Sequence, residues 1–206
     1  MNYLAHFLLS KESPSSLVGN YVGEMVTVKD FDKYAEPIKE GIFFHNAVDH
    51  FTHNHPVVLK SRQRLNNKYY KYGKTIIDIY FDHFLAANWS QYSEVPLEEF
   101  TTECYNTLLE YHSILPYKAK YLLPYLVSSN WLLNFQTVAG LHQALKDMDR
   151  RSSLSFPVMY IIEDLIEKYA YFKEDFFEFF PELLNHITEL KATTEKYENL
   201  VGAKSY

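Results

Sequence analysis

Apolar side chains recur at the spacing of an α-helix along most of the chain. In a segment that begins near Asp32 or at Glu36-Pro37, one helix face carries Ile38, Ile42, His45, Val48 and Asp49. Proline suits the first turn of a helix, because the N–H that it lacks would have no partner there. The segment is therefore predicted to be helical as far as about Thr52.

The same periodicity predicts further helices on both sides of this segment. They cover approximately residues 16–25, 75–91, 96–112, 117–130, 131–149 and 157–198, with breaks near Pro124, residues 150–155 and Pro181. The phenylalanine-rich run after residue 170 indicates that the terminal helices pack back over the others. No repeat or linker divides the chain, so the sequence predicts an all-α fold, a single-domain helical bundle over residues 1–206.

Glycine is scarce, and this removes several classes of phosphate-binding protein. None of the six glycines forms GxGxxG, a Walker loop or GxSxG. The single cysteine, Cys104, excludes an internal disulfide and a CxxC zinc site. No apolar run reaches the roughly 18 residues of a membrane span, and residues 1–10 lack the basic start of a signal peptide. We expect a cytoplasmic protein that does not bind membranes.

Histidine and carboxylate side chains provide the candidate chemistry. Two i, i+4 pairs, His45 with Asp49 and Asp78 with Asp82, each place both side chains on one face of a predicted helix. His83 follows the second pair, and His6 and Glu24 stand in apolar surroundings. Two helices that contribute such pairs can build a divalent metal site inside a bundle. A polar network with a purely structural role would use the same residues.

A basic cluster interrupts a chain that is acidic as a whole. The net charge is −6, which argues against a globally basic nucleic-acid binder, yet residues 60–74 hold six cations and no acid. These six are Lys60, Arg62, Arg64, Lys68, Lys71 and Lys74. The cluster is typical of a solvated helix face, and the tyrosines interleaved with it at 69, 70 and 72 also occur in nucleic-acid platforms.

Five separated blocks of the sequence resemble, in the same order, one known family. They are NYLAH at residues 2–6, LVGNYVGEM at 17–25, GIFFHNAVD at 41–49 followed by FTHNHP at 51–56, and DIYFDHFL at 78–85 with WS at 89–90. Weaker similarities follow at residues 125–126, 131–132 and 148–151. On these motifs the chain is identified as a member of the acyl carrier protein (ACP) phosphodiesterase family, and the resemblance covers most of its length.

The resemblance implies an activity, a fold and a cofactor. The reaction is hydrolysis of the phosphodiester that joins 4′-phosphopantetheine to a serine of holo-ACP, which releases apo-ACP. The fold is an HD-domain-like helical bundle, because the family is regarded as related to the HD-type metal-dependent phosphohydrolases. The implied cofactor is a divalent metal, Mn²⁺ above all, with Mg²⁺ or Co²⁺ as alternatives. The metal would activate water for attack on phosphorus.

The family's motifs assign roles to particular residues of this chain. The metal ligands implied are His6, Glu24, His45, Asp49 and Asp82. The catalytic residues implied are His83 and Asp78, the latter as a carboxylate behind the ligands. Either His83 or a spare carboxylate would protonate the departing serine oxygen. The chain departs from the family pattern twice, with Glu24 in place of the usual Asp and Asn46 in place of the usual Arg.

The partner implied by the resemblance is ACP, a small and strongly acidic helical protein. We therefore prefer to interpret the basic residues as an ACP docking surface rather than a nucleic-acid site. The docking residues predicted are Lys60, Arg62, Arg64, Lys68, Arg150 and Arg151. Two alternatives stay open at this stage. One is a metal-dependent phosphodiesterase that acts on a nucleotide or another small phosphodiester, and the other is a non-catalytic helical module that binds ACP.

Overall fold

A computed structural model describes residues 1–10, 12–65, 72–150 and 157–202, with side chains as far as residue 193. Within these ranges the chain forms twelve α-helices and no strand, which confirms the all-α prediction. The helices are α1 (Tyr3–Leu9), α2 (Pro14–Val22), α3 (Val28–Phe31), α4 (Glu36–Asn54), α5 (Pro56–Gln63), α6 (Gly73–Ala87), α7 (Leu97–Glu110), α8 (Tyr117–Ser128), α9 (Trp131–Asn134), α10 (Val138–Asp149), α11 (Val158–Glu167) and α12 (Tyr169–Gly202). Two short 3₁₀ helices cover Trp89–Gln91 and His112–Ile114.

Helices α2 and α4 cross with their backbones in contact. A Cβ atom added to Gly19 would lie 2.2 Å from the carbonyl oxygen of Ile38 and 2.7 Å from the Cα of Gly41. Any larger residue at either glycine would therefore push the two helices apart. This close crossing sets the distance between α2, which Glu24 follows, and α4, which carries His45 and Asp49.

Helix α6 runs through the centre of the bundle and is buried on nearly all sides. Its residues Phe81 and Phe84 pack against Phe176 of α12, with ring centroids 5.7 and 6.0 Å apart. Tyr80 makes a similar contact with Phe172, at 5.0 Å. The prediction that the terminal helices pack back over the bundle is confirmed.

Two predicted helix breaks are wrong, because Pro124 lies inside α8 and Pro181 lies inside α12. A proline in a helix interior loses one backbone hydrogen bond and favours a kink. Buried neighbours offset this cost, since Leu123 and Leu126 flank the first proline and Phe180 and Leu183 flank the second, all fully buried. The predicted break at residues 150–155 lies almost wholly outside the described residues.

Segment 131–149 was predicted as one helix, but it forms two. Helix α9 ends at Asn134, and Thr137 then caps α10 by accepting a hydrogen bond from the N–H of Gly140. Helices α1, α3 and α5 are short and were not predicted, because four to eight residues are too few to show a clear helical period. In the described part of the chain no helix has the length and apolar character needed to cross a membrane.

Candidate metal centre and its cavity

One cavity of about 430 Å³ collects most of the predicted site residues. Its polar side is formed by residues of α1, α4 and α6 and of the turn that follows α2. The histidines and carboxylates among these residues are His6, Glu24, His45, Asp49, His53 and Asp78. The same cavity is also lined by apolar and aromatic residues of α8, α9 and α10, namely Tyr121, Leu122, Tyr125, Trp131 and Met148.

His6 is held from behind by α2. Its ring is buried, and its Nδ1 lies 3.0 Å from Oδ1 of Asn20, which only accepts a hydrogen bond. Nδ1 therefore carries a proton, and Nε2 is the ring nitrogen that faces the cavity, 3.2 Å from Oδ1 of Asp49. Fixing the tautomer of a histidine in this way is typical of metal ligands.

His45 is buried, and neither of its ring nitrogens has a hydrogen-bond partner among the described residues. Its ring stacks on His6 with the centroids 4.2 Å apart, and Nε2 lies 3.6 Å from Oδ2 of Asp49. Burial lowers the pKa of His45 to about 3, with the neighbouring His6 adding to the effect, so the imidazole is neutral. A buried, neutral imidazole without a partner suits a metal ion, which needs its lone pair.

The close packing around His45 depends on Gly23, at the end of α2. A Cβ atom on Gly23 would lie 2.3 Å from the His45 ring. The glycine therefore leaves the space that the imidazole occupies. Gly23 belongs to the block at residues 17–25 that carries the family resemblance, and this contact explains why glycine is needed at that position.

Asp49 completes a group of three potential ligands. Burial acts to raise the pKa of Asp49, but the hydrogen bond from His6 and the charge of the Met1 amino group outweigh burial and lower it. The carboxylate is therefore ionised, and ligand atoms of His6, His45 and Asp49 all lie within 4.8 Å of one another. Two imidazole nitrogens and one carboxylate oxygen form a suitable donor set for a divalent transition metal, so these three residues could hold one.

Asp78 lies in the same cavity but belongs to a neighbouring pair. Its Oδ2 is 3.1 Å from Nε2 of His53, and its Oδ1 accepts a hydrogen bond of 2.9 Å from the Met1 amino group. Burial acts to raise the pKa of Asp78, whereas the Met1 charge and the His53 hydrogen bond lower it and prevail. His53 lies four residues after Asp49 on α4, so the series His45, Asp49, His53 was a usable signal that sequence reasoning passed over.

Asp82, a predicted ligand, lies behind α1 rather than among the residues that line the cavity. Its carboxylate accepts hydrogen bonds from the backbone N–H groups of Asn2, Leu4 and Ala5, at 3.2, 2.8 and 3.4 Å. It thus satisfies the free N–H groups at the start of the helix that carries His6. Full burial raises the pKa of Asp82 to about 7 despite these hydrogen bonds.

His83, the predicted proton donor, is also placed away from the cavity lining. Its Nδ1 lies 2.7 Å from the carbonyl oxygen of Phe135, and its Nε2 lies 3.0 Å from the hydroxyl of Tyr169. Burial lowers the pKa of His83, which keeps the ring neutral near pH 7. In this position His83 links α6 to α12 and to the residue that follows α9.

Both departures from the family pattern lie at the edge of the site or outside it. Glu24 lines the cavity from an exposed position and accepts a hydrogen bond of 3.0 Å from the hydroxyl of Tyr3. Asn46 is exposed, and its side-chain amide donates to the carbonyl oxygen of Ile42 on its own helix. The Arg that the family usually has at position 46 would therefore extend from the outer face of α4.

The predicted docking cations do not form one free surface. Lys60 and Arg64 both bind the buried carboxylate of Asp175 on α12, at 3.1 and 2.9 Å. Arg150 lies 3.6 Å from Asp147. Arg62 is half-buried near Gly73, while Lys68 and Arg151 lie outside the described residues.

One cation of the basic segment does reach the site. Lys74 is exposed and lines the same cavity as Asp49, next to Thr75. Lys74 belongs to the basic cluster at residues 60–74 but is not among the predicted docking residues. Lys74 lies at the start of α6, one turn before Asp78, and this spacing could have indicated that it reaches the site.

An all-helical bundle with two histidines and a carboxylate gathered in one cavity defines a helical protein with a candidate metal site. The whole-chain comparison is more specific. Residues 1–183 match the family described as acyl carrier protein phosphodiesterase, and the chain belongs to that family.

Individual relatives agree with the family match. A protein named acyl carrier protein phosphodiesterase from Photorhabdus laumondii is 30% identical over 187 residues, which are 89% of this chain and 93% of that protein. One of the same name from Escherichia coli O6:H1 is 28% identical, with 89% and 96% of the two chains covered. Another from Serratia proteamaculans is 26% identical at the same coverage. No solved structure matches the chain at a comparable level, and the HD-type relationship stays a prediction.

Proposed function

We propose that this protein is a phosphodiesterase that removes 4′-phosphopantetheine from holo-ACP. In the reaction water is added across the bond between phosphorus and the serine oxygen. The hydroxyl goes to phosphorus, the proton goes to the serine oxygen, and apo-ACP and 4′-phosphopantetheine are released. The observation that carries this proposal is the family match over residues 1–183, and the cavity around His6, His45 and Asp49 supplies suitable chemistry.

We further propose that these three residues hold a divalent metal ion, with Mn²⁺ as the first choice and Mg²⁺ or Co²⁺ as alternatives. When bound, such an ion supplies an activated water and neutralises charge on the non-bridging phosphate oxygens. The protein keeps both imidazoles ready for binding, because Asn20 fixes the tautomer of His6 and burial keeps His45 neutral. Glu24, at the cavity edge, is a further carboxylate within the same cavity.

The proton for the departing serine oxygen is assigned to the His53–Asp78 pair. His83 was predicted for this role, but both of its ring nitrogens are engaged by Phe135 and Tyr169. His53 lines the cavity, and its Nε2 lies 3.1 Å from Oδ2 of Asp78, which orients the ring. A positioned histidine is the most common general acid in enzymes.

The docking surface for ACP is proposed at the edge of the cavity. An acidic partner requires cations that are not already neutralised, and Asp175 binds two of those first predicted, Lys60 and Arg64. Lys74 is exposed at the cavity itself, so it can meet an acidic side chain of a protein whose phosphodiester enters the site. Electrostatic contacts of this kind mainly speed association and weaken with salt.

Substrate choice is tested by comparing three phosphodiesters with the purified protein in the presence of Mn²⁺. The three are holo-ACP, a dinucleotide and bis(p-nitrophenyl) phosphate. The proposal predicts a kcat/KM for holo-ACP at least a hundredfold above the other two. Similar or higher values for the dinucleotide would contradict the proposal and assign the protein to nucleotide hydrolysis.

A further inference from the structure

The cavity that contains the His6–His45–Asp49 group is also lined by a set of apolar and aromatic residues. The set consists of Tyr121, Leu122 and Tyr125 of α8, Trp131 of α9 and Met148 of α10, and we call it the aromatic wall. None of these residues has a charge, and the proposed chemistry does not use them.

The aromatic wall is held at a fixed position relative to the polar side. The hydroxyl of Tyr21 on α2 donates to the carbonyl oxygen of Ala119 on α8, at 3.0 Å. The hydroxyl of Tyr105 accepts from the backbone N–H of Leu132 on α9, at 3.1 Å. Between α8 and α9, Asn130 adopts a left-handed conformation with φ of 44°, one that asparagine tolerates better than most residues. Rigid placement of a binding surface is typical of a preformed ligand site.

We propose that the aromatic wall binds the pantetheine arm of holo-ACP and gives the site its preference for that substrate. This inference rests on the proposed function. The scissile phosphodiester has ACP on one side and the pantetheine arm on the other. A folded protein cannot enter a cavity of about 430 Å³, whereas a slender arm can, because cavities of ~300–1,000 Å³ are the usual size for small ligands.

The chemistry of the arm matches the wall. The arm combines a gem-dimethyl group and ethylene units with two amides, so it needs apolar surface together with a few hydrogen-bonding groups. Trp131 provides both, because its indole N–H is buried and has no hydrogen-bond partner among the described residues. An indole N–H only donates, and an amide carbonyl of the arm only accepts.

The geometry of the wall fits a flexible arm better than a nucleotide base. The rings of Tyr121 and Tyr125 meet edge to face, with centroids 5.5 Å apart and an interplanar angle of 67°. They therefore leave no parallel slot between them in which a planar base could be stacked on both faces. An aliphatic chain does not need such a slot.

The test compares tyrosines of the same helix. Tyr121 and Tyr125 line the cavity, whereas Tyr117 lies one turn before Tyr121, is 83% exposed and is not part of the cavity. Each is replaced by alanine, and binding of free 4′-phosphopantetheine and of pantetheine is measured by titration calorimetry, alongside kcat and KM for holo-ACP. Because Tyr121 is itself 53% exposed, its replacement leaves the core intact.

The expected result is a weakening of pantetheine binding by roughly tenfold for Tyr121→Ala and for Tyr125→Ala, with KM raised and kcat nearly unchanged. Tyr117→Ala should bind and turn over like the wild type. Trp131→Phe, which keeps an aromatic ring but loses the N–H, should weaken binding of pantetheine several-fold without unfolding the protein.

Three outcomes would overturn the inference. If all the tyrosine variants hydrolysed holo-ACP with equal KM, the aromatic wall would not be the binding site of the pantetheine arm. The proposed function would be unaffected by this result. Tighter binding of adenosine monophosphate than of 4′-phosphopantetheine, lost in the same variants, would assign the wall to a nucleotide. No hydrolysis of holo-ACP by the wild type would reject the proposed function, and this inference with it.

Discussion

At the scale of single residues, His45 is the most informative side chain. A buried polar atom without a hydrogen bond typically costs about 1–3 kcal/mol, and both nitrogens of the His45 imidazole are in this position within the described structure. Folding tolerates such a cost where function needs the group. The stacked His6 ring and the ionised Asp49 lie beside it, and together the three residues form the group proposed to hold a metal.

Replacement of His45 by leucine should therefore separate stability from function. We expect His45→Leu to raise the free energy of unfolding of the metal-free protein by about 1 kcal/mol. The same variant should show no rise in melting temperature on addition of Mn²⁺. Its kcat for holo-ACP should fall at least a hundredfold. Thermal unfolding with and without the metal, together with turnover, checks this expectation.

The matched control is His142→Leu on α10. Nε2 of His142 is also buried without a partner in the described part of the chain, but His142 does not line the cavity. The control should keep the metal-dependent shift and full turnover. Loss of the shift in both variants would argue against a local metal site.

Asp82 gives the second prediction, because two roles are possible for it. If its role is to hold the start of α1, Asp82→Asn keeps an acceptor oxygen and should retain the metal-dependent shift, while Asp82→Ala should destabilise the protein by about 2 kcal/mol. Denaturant unfolding and thermal shift measure both effects. A variant with wild-type stability and no metal binding would instead make Asp82 a direct ligand.

His53 gives the third prediction. His53→Gln should lower kcat for holo-ACP by about a hundredfold, the usual contribution of a positioned general acid. Metal binding should be unchanged, since the ligand group lies on His6, His45 and Asp49. A full loss of metal binding would show that His53 is a ligand rather than the proton donor.

At the scale of helices, α5 and α12 are joined by one buried carboxylate. Asp175 is fully buried and accepts hydrogen bonds from Ser61 and from Arg64, whose guanidinium also lies over the ring of Tyr171. Lys60 approaches the same carboxylate at 3.1 Å. Lys60 and Arg64, which were predicted to belong to a docking surface, thus help to hold α12 against α5.

This arrangement predicts a pH dependence of stability. Burial acts to raise the pKa of Asp175, but the hydrogen bonds from Arg64, Ser61 and Lys60 prevail and lower it below its unfolded value of about 3.9. A lowered carboxyl pKa stabilises the fold above the unfolded value, and this contribution is lost as the pH falls through about 4 towards the folded pKa.

Asp175→Asn should accordingly be about 2 kcal/mol less stable than the wild type at pH 7, with the difference shrinking below pH ~4. Urea unfolding at several pH values measures it. Asp30→Asn, which removes an exposed carboxylate on α3, serves as the control and should match the wild type. A difference between Asp175→Asn and the wild type that stays constant down to pH 3 would contradict the account.

The longer helices could be predicted because their apolar residues recur at helical spacing, and this spacing is visible in the sequence. The prolines of α8 and α12 misled the prediction, because local sequence shows the lost hydrogen bond but not the buried leucines and phenylalanines that offset it. The pairing of Lys60 and Arg64 with Asp175 was equally hidden, since the partners are more than a hundred positions apart.

For the site, the sequence likewise predicted the residues that lie close together on one helix face, but not the positions that depend on tertiary packing. The i, i+4 pair His45–Asp49 lies on one face of α4, and His6 lies beside it. Asp82 and His83, by contrast, point away from the cavity because α1 and α12 engage them, and this depends on tertiary packing. The sequence motifs therefore identified the residues in and around the site. Only the contacts in the structure separate the residues that line the cavity from those that support it.

At the scale of the whole molecule, the bundle brings two different surfaces to one cavity. Helices α1, α4 and α6 carry the proposed ligands and the proposed proton donor, and α8 to α10 carry the aromatic wall. A phosphodiester with a slender organic arm on one side fits between them. Because the chain belongs to the acyl carrier protein phosphodiesterase family, we propose that this phosphodiester is that of holo-ACP.

The central claim is that this cavity releases 4′-phosphopantetheine from holo-ACP. The most direct measurement is the intact mass of holo-ACP after incubation with Mn²⁺ and either the wild type, His45→Leu or His142→Leu. The account predicts that the wild type and His142→Leu convert holo-ACP to apo-ACP with an intact serine, and that His45→Leu leaves it unchanged. Holo-ACP that keeps its prosthetic group with the wild type, or loses it equally with His45→Leu, would contradict the account.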